Sequence, residues 1–303
     1  MKQDTQYEVI IIGGSYAGLA AAMALGRSLR KVLVIDGGNP CNKQTPHSHN
    51  FLTNDGKTPK EIASIARQQV QAYTTVKLVD GLATAAVKND TGFDIQTQAG
   101  EKYTTGKIIL ATGIKDMMPG IPGFAECWGI SVLHCPYCHG YEVRQQKTGI
   151  LANGDSGFEF ASLLLNWTKD LTLYTNGQST FTETQLAKLR QHNISIAEAE
   201  IERLEHQNGH IQQIVFNNGN KAPVKALYAR LPFVQHSAIA QALGCEIADG
   251  YIKIDAAQKT TVAGVYACGD NSSRMRSVAN AVATGTATGA FLNKALIEEE
   301  FSN

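Results

Sequence analysis

The segment His134-Cys135-Pro136-Tyr137-Cys138-His139-Gly140-Tyr141-Glu142 holds the densest set of reactive side chains in the chain. Two thiols two residues apart can close a small disulfide and reopen it. That spacing depresses one thiol's pKa below the free value of about 8.5, so a thiolate is available at neutral pH. The flanking His134 and His139 can tune it or move protons. His139 is the first candidate for an acid/base and Glu142 the second, each set against a purely structural or surface role. The rival chemistry is half a zinc site. Structural zinc needs four ligands, normally two paired hooks, and there is no second Cys-x-x-Cys. Cys127 with His139 could complete only an irregular cluster, so no metal is assigned. Cys245 and Cys268 stand among small apolar residues and read as core. His47 and His49 lie in a loop, Pro46 to Phe51, where they either shape a substrate mouth or do nothing chemical.

A second kind of chemistry sits near the start. Gly13, Ser15 and Gly18 form a G-x-S-x-x-G turn between an apolar strand, Tyr7 to Ile12, and an alanine-rich helix ending near Ser28. Gly13 permits the tight turn and Gly18 lets helix pack closely on strand. Ser15, small and able to donate, stands where a backbone must approach a pyrophosphate. The helix N-terminus offers N–H groups and positive dipole to that anion. After the next strand, Lys31 to Ile35, comes Asp36, about 20 residues beyond the turn, where an acid grips ribose hydroxyls. The alternative is a plain glycine turn.

The elements that must position these groups follow the same plan twice. Thr58 to Tyr73 reads as a helix and Ile108 to Thr112 as a strand. Pro119 to Gly123 reads as a linker into a second unit. There Gly149 to Ala152 is a strand, Asn153 to Gly157 a glycine-bearing turn, Phe158 to Trp167 a helix and Leu171 to Tyr174 a strand: an internal repeat of a nucleotide-binding βαβ unit. Val265 to Cys268 is a strand leading into Gly269-Asp270, and a small-residue helix from about Ser277 to Leu296 closes the chain.

With 303 residues the chain is long enough for two cores. Lysine and arginine number 27, equal to aspartate and glutamate, so no nucleic-acid partner is expected. Met1 to Asp4 lack the basic region of an export signal, and no apolar run is long enough for a membrane helix. Six cysteines at this length are not a secreted scaffold, so a cytoplasmic setting is expected.

Taken together, the first turn, the Cys pair, Ala111-Thr112-Gly113 and Gly269-Asp270 resemble low-molecular-weight thioredoxin reductases over essentially the whole chain. The resemblance implies an α/β fold of two nested Rossmann-like FAD/NAD(P)-binding domains, the class II pyridine nucleotide-disulfide oxidoreductase fold. Residues 1–116 and 236–303 would form a discontinuous FAD domain, and 117–235 an inserted NAD(P)-binding-like domain carrying the Cys pair. FAD is the implied cofactor. Gly13, Ser15, Gly18, Asp36, Asn50, Ala83, Thr112, Gly113 and Gly269 would bind it. Asp270 would hold the ribityl chain, and Ser277, Val278 and Ala279 would face the flavin pyrimidine, where the helix dipole stabilises negative charge. A homodimer is implied as well.

Two departures from that family matter. The residue after its second Cys is an aspartate, whereas here it is His139. The Cys-x-x-Cys-His-Gly-Tyr-Glu run is similar to fungal and bacterial dithiol oxidases that close disulfides in gliotoxin- and holomycin-type products. By that resemblance Cys138 faces the flavin and Cys135 exchanges with substrate. The second departure is the second turn, Ala152-Asn153-Gly154-Asp155-Ser156-Gly157. Ala152 replaces a fingerprint glycine, Asp155 adds negative charge, and Tyr174-Thr175-Asn176-Gly177 lacks the family's arginines for a 2′-phosphate. Two lost charge-assisted hydrogen bonds cost roughly 3–6 kcal/mol, so tight NADPH binding is not expected; NADH needs no such clamp. The expected partner is a small dithiol or disulfide, or a thioredoxin-like protein. The expected activity is flavin-coupled thiol–disulfide exchange. An NAD(P)H-dependent thioredoxin-disulfide reductase and a flavin-binding redox sensor without turnover are the alternatives.

Overall fold

A computed structural model describes residues 5–302; Met1 to Asp4, on which the export-signal reading rests, lie outside them. Along the chain come β1 (Gln6–Ile12), α1 (Tyr16–Arg27), β2 (Val32–Asp36), α2 (Pro59–Gln71), β3 (Val76–Asp80), β4 (Ala83–Lys88), β5 (Phe93–Thr97), β6 (Lys102–Leu110) and β7 (Ile114–Asp116). Then follow α3 (Phe124–Cys127), β8 (Val132–Leu133), α4 (Pro136–His139), β9 (Thr148–Leu151), α5 (Gly154–Leu164), β10 (Leu171–Tyr174), α6 (Glu183–Gln191), β11 (Ser195–Ala197), β12 (Ile201–Gln207), β13 (His210–Phe216), β14 (Lys221–Pro223) and β15 (Ala226–Ala229). The last stretch holds β16 (Phe233–Gln235), α7 (Ile239–Ala242), β17 (Ile247–Ala248), β18 (Tyr251–Ile252), β19 (Val265–Ala267) and α8 (Val278–Ser302).

Two compact units result: 1–43, 51–115 and 233–303 in the first, 44–50 and 116–232 in the second. The segment Gln44–Asn50, assigned from sequence to the first domain, packs with the second unit. Gly129 explains part of this, since a Cβ there would lie 3.0 Å from Thr45 Oγ1 and 3.2 Å from Gln44 Nε2.

In the first unit the parallel strands run β3-β2-β1-β6. β6 divides its outer edge: its first half pairs antiparallel with β5, and Ile108 to Leu110 pair in parallel with β19. The β-branched run of β1 is buried on both faces. Val9 and Ile11 face α1, α2 and α8, while Tyr7, Ile10 and Ile12 face the opposite core with Phe93, Ile95 and Ile239. This is the near-continuous apolar pattern of a strand covered on both sides. α2 starts at a capping box, with Thr58 and Glu61 bonding reciprocally and Pro59 at the first helical position. α1 and α8 approach through small residues: a Cβ on Gly285 would lie 2.1 Å from Ala17 O, and one on Gly289 would lie 2.8 Å from Ala21 O.

The second unit repeats the strand order as β11-β10-β9-β15-β8, all parallel, with β12-β13-β14 as a separate antiparallel sheet. Two boundaries differ from expectation. The helix expected from Phe158 begins at Gly154, because Asn153 caps it directly. The final helix runs past Leu296 to Ser302, held in part by Arg30 bonding Glu300 and Lys107 Nζ to Glu299 at 2.6 Å. Among the described residues no helix is long and apolar enough to cross a membrane.

Candidate functional site

Three chain segments of the first unit meet at the carboxyl ends of β1, β6 and β19, the edge where open α/β sheets bind ligands. Ala111 N donates to Ile12 O at 2.8 Å and Cys268 N to Leu110 O at 3.1 Å, which ties the ends together. Gly13 has φ +109°, and a Cβ on it would lie 2.2 Å from Ala111 O; one on Gly18 would lie 1.8 Å from Gly13 O. Both positions therefore require glycine. Gly14, not singled out from sequence, does as well: a Cβ there would lie 2.6–2.8 Å from the Asp36 side chain, Cβ included. The acid thus reaches back over the turn. Its Oδ1 accepts from Gly38 N at 3.0 Å, and its Oδ2 pairs with Arg67 at 2.9 Å, which also pairs with Asp80 at 2.8 Å. Ser15 caps α1 without a side-chain hydrogen bond among the described residues.

Of the remaining predicted dinucleotide positions of this unit, Thr112 and Gly269 lie against that turn: a Cβ on Gly13 would lie 3.3 Å from Thr112 N, and one on Gly269 2.9 Å from Ala17 Cβ. Gly113 takes φ +65° and Gly269 φ +82°. Asn271, fully buried, donates to Leu110 O at 2.8 Å and to Thr112 Oγ1 at 3.2 Å. Asp270 lies 3.8 Å from Cys41 Sγ and 4.0 Å from Arg276 Nε. Ala83 is buried at the start of β4, and nearby Gly81 N donates to Asp36 O at 2.8 Å. Ser277 Oγ accepts from Asn280 N at 3.1 Å and so caps α8 ahead of Val278 and Ala279. Asn50 takes φ +57° in the segment that packs with the second unit.

The thiol pair sits in the second unit just after β8. Cys135 is extended at the N-cap of α4, φ −124°, and Pro136 fixes the first helical φ. Cys138 N and His139 N both donate to Cys135 O at 3.2 Å, so one tight turn stacks the thiols, with the two sulfurs 2.7 Å apart. Gly140 lets this turn press on Trp167: a Cβ would lie 2.4 Å from Pro136 O and 2.7 Å from Trp167 Cδ1. Tyr137 meets the same Trp167 edge-on at 5.4 Å.

His139 is half-buried, and burial pushes its pKa down to about 4; His49 lowers it further and Glu142 opposes both. It is a neutral imidazole at pH 7, suited to accept a hydrogen bond rather than to deliver a proton. Glu142 Oε1 stands 3.7 Å from His49 Nε2, and the His47 and His49 rings are 6.4 Å apart. The loop histidines thus join the thiol site, a grouping the sequence could suggest only weakly. Cys127 is buried in the core on the β12–β14 side with Phe124 and Trp128, not beside His139. One His-x-x-x-His spacing exists, His206 and His210, but it spans the β12–β13 hairpin, where His206 Nδ1 accepts from Gly209 N at 3.3 Å.

The second glycine turn is differently built. Asn153 Oδ1 accepts from Gly154 N at 2.8 Å, from Thr180 N at 2.9 Å and from Thr180 Oγ1 at 3.2 Å, while Nδ2 donates to Gln178 O at 2.9 Å. Asp155 Oδ1 accepts from Gln185 Nε2 at 2.7 Å, which turns that carboxylate toward the start of α6. The helix N-terminus, where a pyrophosphate would bind, is thus bridged by the chain's own side chain to the loop after β10. Asn153 was the informative residue here, its signal being a cap-forming side chain between the fingerprint's first and middle positions, directly before Gly154.

Comparison with known proteins places these features in context. The model of the pyridine nucleotide-disulphide oxidoreductase family matches residues 7–285. The chain is 32% identical over 304 residues to a protein of Claviceps purpurea named thioredoxin reductase tcpT, covering 96% of this chain and 95% of that one. Among solved structures, an oxidoreductase from Agrobacterium tumefaciens is 36% identical with a TM-score of 0.90, covering 96% of this chain and 99% of that one. The structure of HlmI is 29% identical with a TM-score of 0.93, covering 100% of this chain and 96% of that one.

Proposed function

The chain belongs to the pyridine nucleotide-disulphide oxidoreductase family and is an oxidoreductase of thioredoxin reductase-like type; on that premise we propose that it couples FAD to a dithiol or disulfide substrate through Cys135 and Cys138, without tight binding of NADPH. The observation that carries this reading is the pair of sulfurs held 2.7 Å apart in the α4 turn.

The first unit suits a dinucleotide. Backbone atoms crowd the space a Cβ would fill at Gly13 and Gly18, Asp36 is anchored over Gly14, and Ser277 caps α8. Gly13, Ser15, Gly18, Asp36, Ala83, Thr112, Gly113, Gly269 and Asp270 would hold FAD, with Val278 and Ala279 turning the dipole of α8 toward the flavin. Bound flavin would supply a two-electron acceptor or donor for Cys138. A substrate thiolate attacks Cys135 Sγ, forming a mixed disulfide while the Cys135–Cys138 bond breaks and Cys138 leaves as thiolate. The second substrate thiolate then attacks the substrate sulfur of that mixed disulfide and releases Cys135. The substrate departs as a disulfide, and its two electrons remain on the pair. His139, neutral at pH 7, accepts a hydrogen bond from the incoming thiol, and the Glu142–His49 couple takes up protons.

The bonds of Asn153 and the arginine-free loop after β10 support a route that bypasses NADPH. A second reading, an NAD(P)H-dependent reductase of a thioredoxin-like protein, has the printed name of the Claviceps relative in its favour. Anaerobic titration separates them. Fast flavin bleaching by a small dithiol, slow bleaching by NADPH and NADH, and loss of the dithiol response in Cys138→Ser with flavin retained are expected. Rapid bleaching by micromolar NADPH would establish the second reading. No bleaching by any of them would leave a redox sensor.

A further inference from the structure

The core that flanks the thiol pair contains the phenol of Tyr228. Tyr228 is in β15 and only 1% exposed, and among the described residues its hydroxyl oxygen has no hydrogen-bond partner. A buried hydroxyl without a partner costs free energy unless it serves some other state of the site. Its ring is fixed: Phe160 meets it edge-on at 5.7 Å, and Leu133, Ile150 and Ala161 share its core. Tyr228 is also the register partner of Leu133 in the parallel pair β15–β8, and Leu133 lies two residues before Cys135. Val143, next after Glu142, packs into the same core. The chain that carries both cysteines is therefore bracketed by two residues of the Tyr228 core.

We propose that Tyr228 is a positioning residue of the redox pair, whose buried O–H donates to the Cys135 thiolate released when the substrate departs as a disulfide. The proposal rests on the reading of Cys135 and Cys138 as a redox pair. In the exchange the Cys135–Cys138 bond breaks as Cys138 leaves as thiolate; the second substrate thiolate then displaces Cys135, which becomes an anion, and the substrate's two electrons stay on the pair. Tyr228 keeps its proton and supplies only a hydrogen bond. Burial first, then the negative ends of Cys135, Glu142 and Cys138, push its own ionisation well above the usual phenol range, so it remains a donor at any working pH. Other titratable groups at the site are His139 and His49, which act on each other and on Glu142. A hydrogen bond to a charged acceptor is stronger than one to a neutral acceptor, so the donor matters most in the reduced state.

The test uses the flavin-loaded protein and Tyr228→Phe, which keeps the ring and removes the hydroxyl. Alkylation of the reduced pair is followed against pH, with the sites of reaction resolved by mass spectrometry, and the disulfide potential is measured in glutathione buffers. The Cys135 thiolate pKa should rise by about one unit, lowering the thiolate fraction at neutral pH about tenfold, and the potential should fall by about 30 mV. Thermal stability should hold or rise, because no native hydrogen bond is lost. A second variant carries 3-fluorotyrosine at position 228; its more acidic phenol should move the Cys135 pKa the opposite way. Unchanged alkylation profiles and potential in both variants overturn the proposal. If the parent protein shows no reducible Cys135–Cys138 disulfide at all, it is the redox reading that fails.

Discussion

The chain builds the same strand–turn–helix twice and finishes the two turns in opposite ways. At the first, Ser15 leaves α1 without a side-chain cap, and glycines at 13, 14 and 18 clear space that backbone and Asp36 then approach. At the second, Asn153 spends both ends of its amide on Gly154, Thr180 and Gln178. The N–H groups of a helix start need acceptors. An anion can provide them, or the protein can, and on the function proposed for this chain the protein does so at the second turn in place of a phosphate. Fingerprint similarity alone does not separate the two outcomes; the residue before the middle position, Gly14 in one turn and Asn153 in the other, does.

The sharpest break of this contrast is Gly13→Ala. The new methyl group would fall 2.2 Å from Ala111 O on a backbone with φ +109°, so backbone must move. A loss well above about 3 kcal/mol is expected, together with loss of bound flavin, read by thermal melting and by flavin released per chain. A glycine change in the other turn, Gly154→Ala, sits at φ +55° and meets only Thr180 Oγ1 at 2.9 Å. It should cost about 1–2 kcal/mol and leave flavin content intact. Equal losses in the two turns would erase the distinction.

The unit with the closed turn also carries the titrating site, and pH should reveal it. His139 has a folded pKa of about 4 against an ordinary 6.5. Between those values the unfolded chain binds a proton that the folded chain refuses. Its contribution is therefore intact above pH 6.5 and is lost as pH falls toward 4. Allowing for partial exposure, that loss is about 2–3 kcal/mol. Urea denaturation at pH 7 and pH 4.5 should show it in the parent and much less of it in His139→Asn. Equal pH slopes in the two proteins would mean that His139 titrates normally.

Much of this was legible in the residues. The first βαβ unit, its repeat, the glycine turn, Asp36 and the Cys pair follow from apolar runs broken by glycine and from spacing that chemistry demands. What was hidden depends on contacts distant in sequence. Nothing local says that Gln44–Asn50 packs with the second unit or that His49 meets Glu142. Nor could a lone Tyr228 in an apolar strand be told from core. Asn153 was within reach, since cap-forming residues at a helix start are a sequence signal. Its neighbour Asp155 drew attention by charge, whereas the hydrogen bonds belong mainly to the smaller, neutral residue.

Removing the cap measures the closure itself. Asn153→Ala deletes an acceptor shared by two backbone N–H groups and a hydroxyl, and should cost about 1–2 kcal/mol in urea denaturation. NADPH binding by calorimetry should stay weak, because opening the cap adds no arginine. A micromolar affinity in this variant would show the cap to be the sole barrier.

Asp155→Asn should have the smallest effect and discriminates between two physical accounts. If Asp155 excludes NADPH by repelling its pyrophosphate, neutralising it should raise affinity markedly. The geometry argues otherwise. The carboxylate is held by Gln185 Nε2 at 2.7 Å and lies in the first turn of α5, where it favours the helix dipole. An asparagine retains an oxygen to accept from Gln185 and surrenders only the charge, so stability should fall by no more than about 0.5 kcal/mol. The NADPH affinity should hardly change, since the N–H of Gly154 remains bonded to Asn153. Calorimetric titration of the parent, Asp155→Asn and Asn153→Ala side by side decides the matter. A gain confined to Asp155→Asn would assign the weak binding to charge, and the contrast between the two turns would then rest on electrostatics rather than on a side chain occupying the helix start.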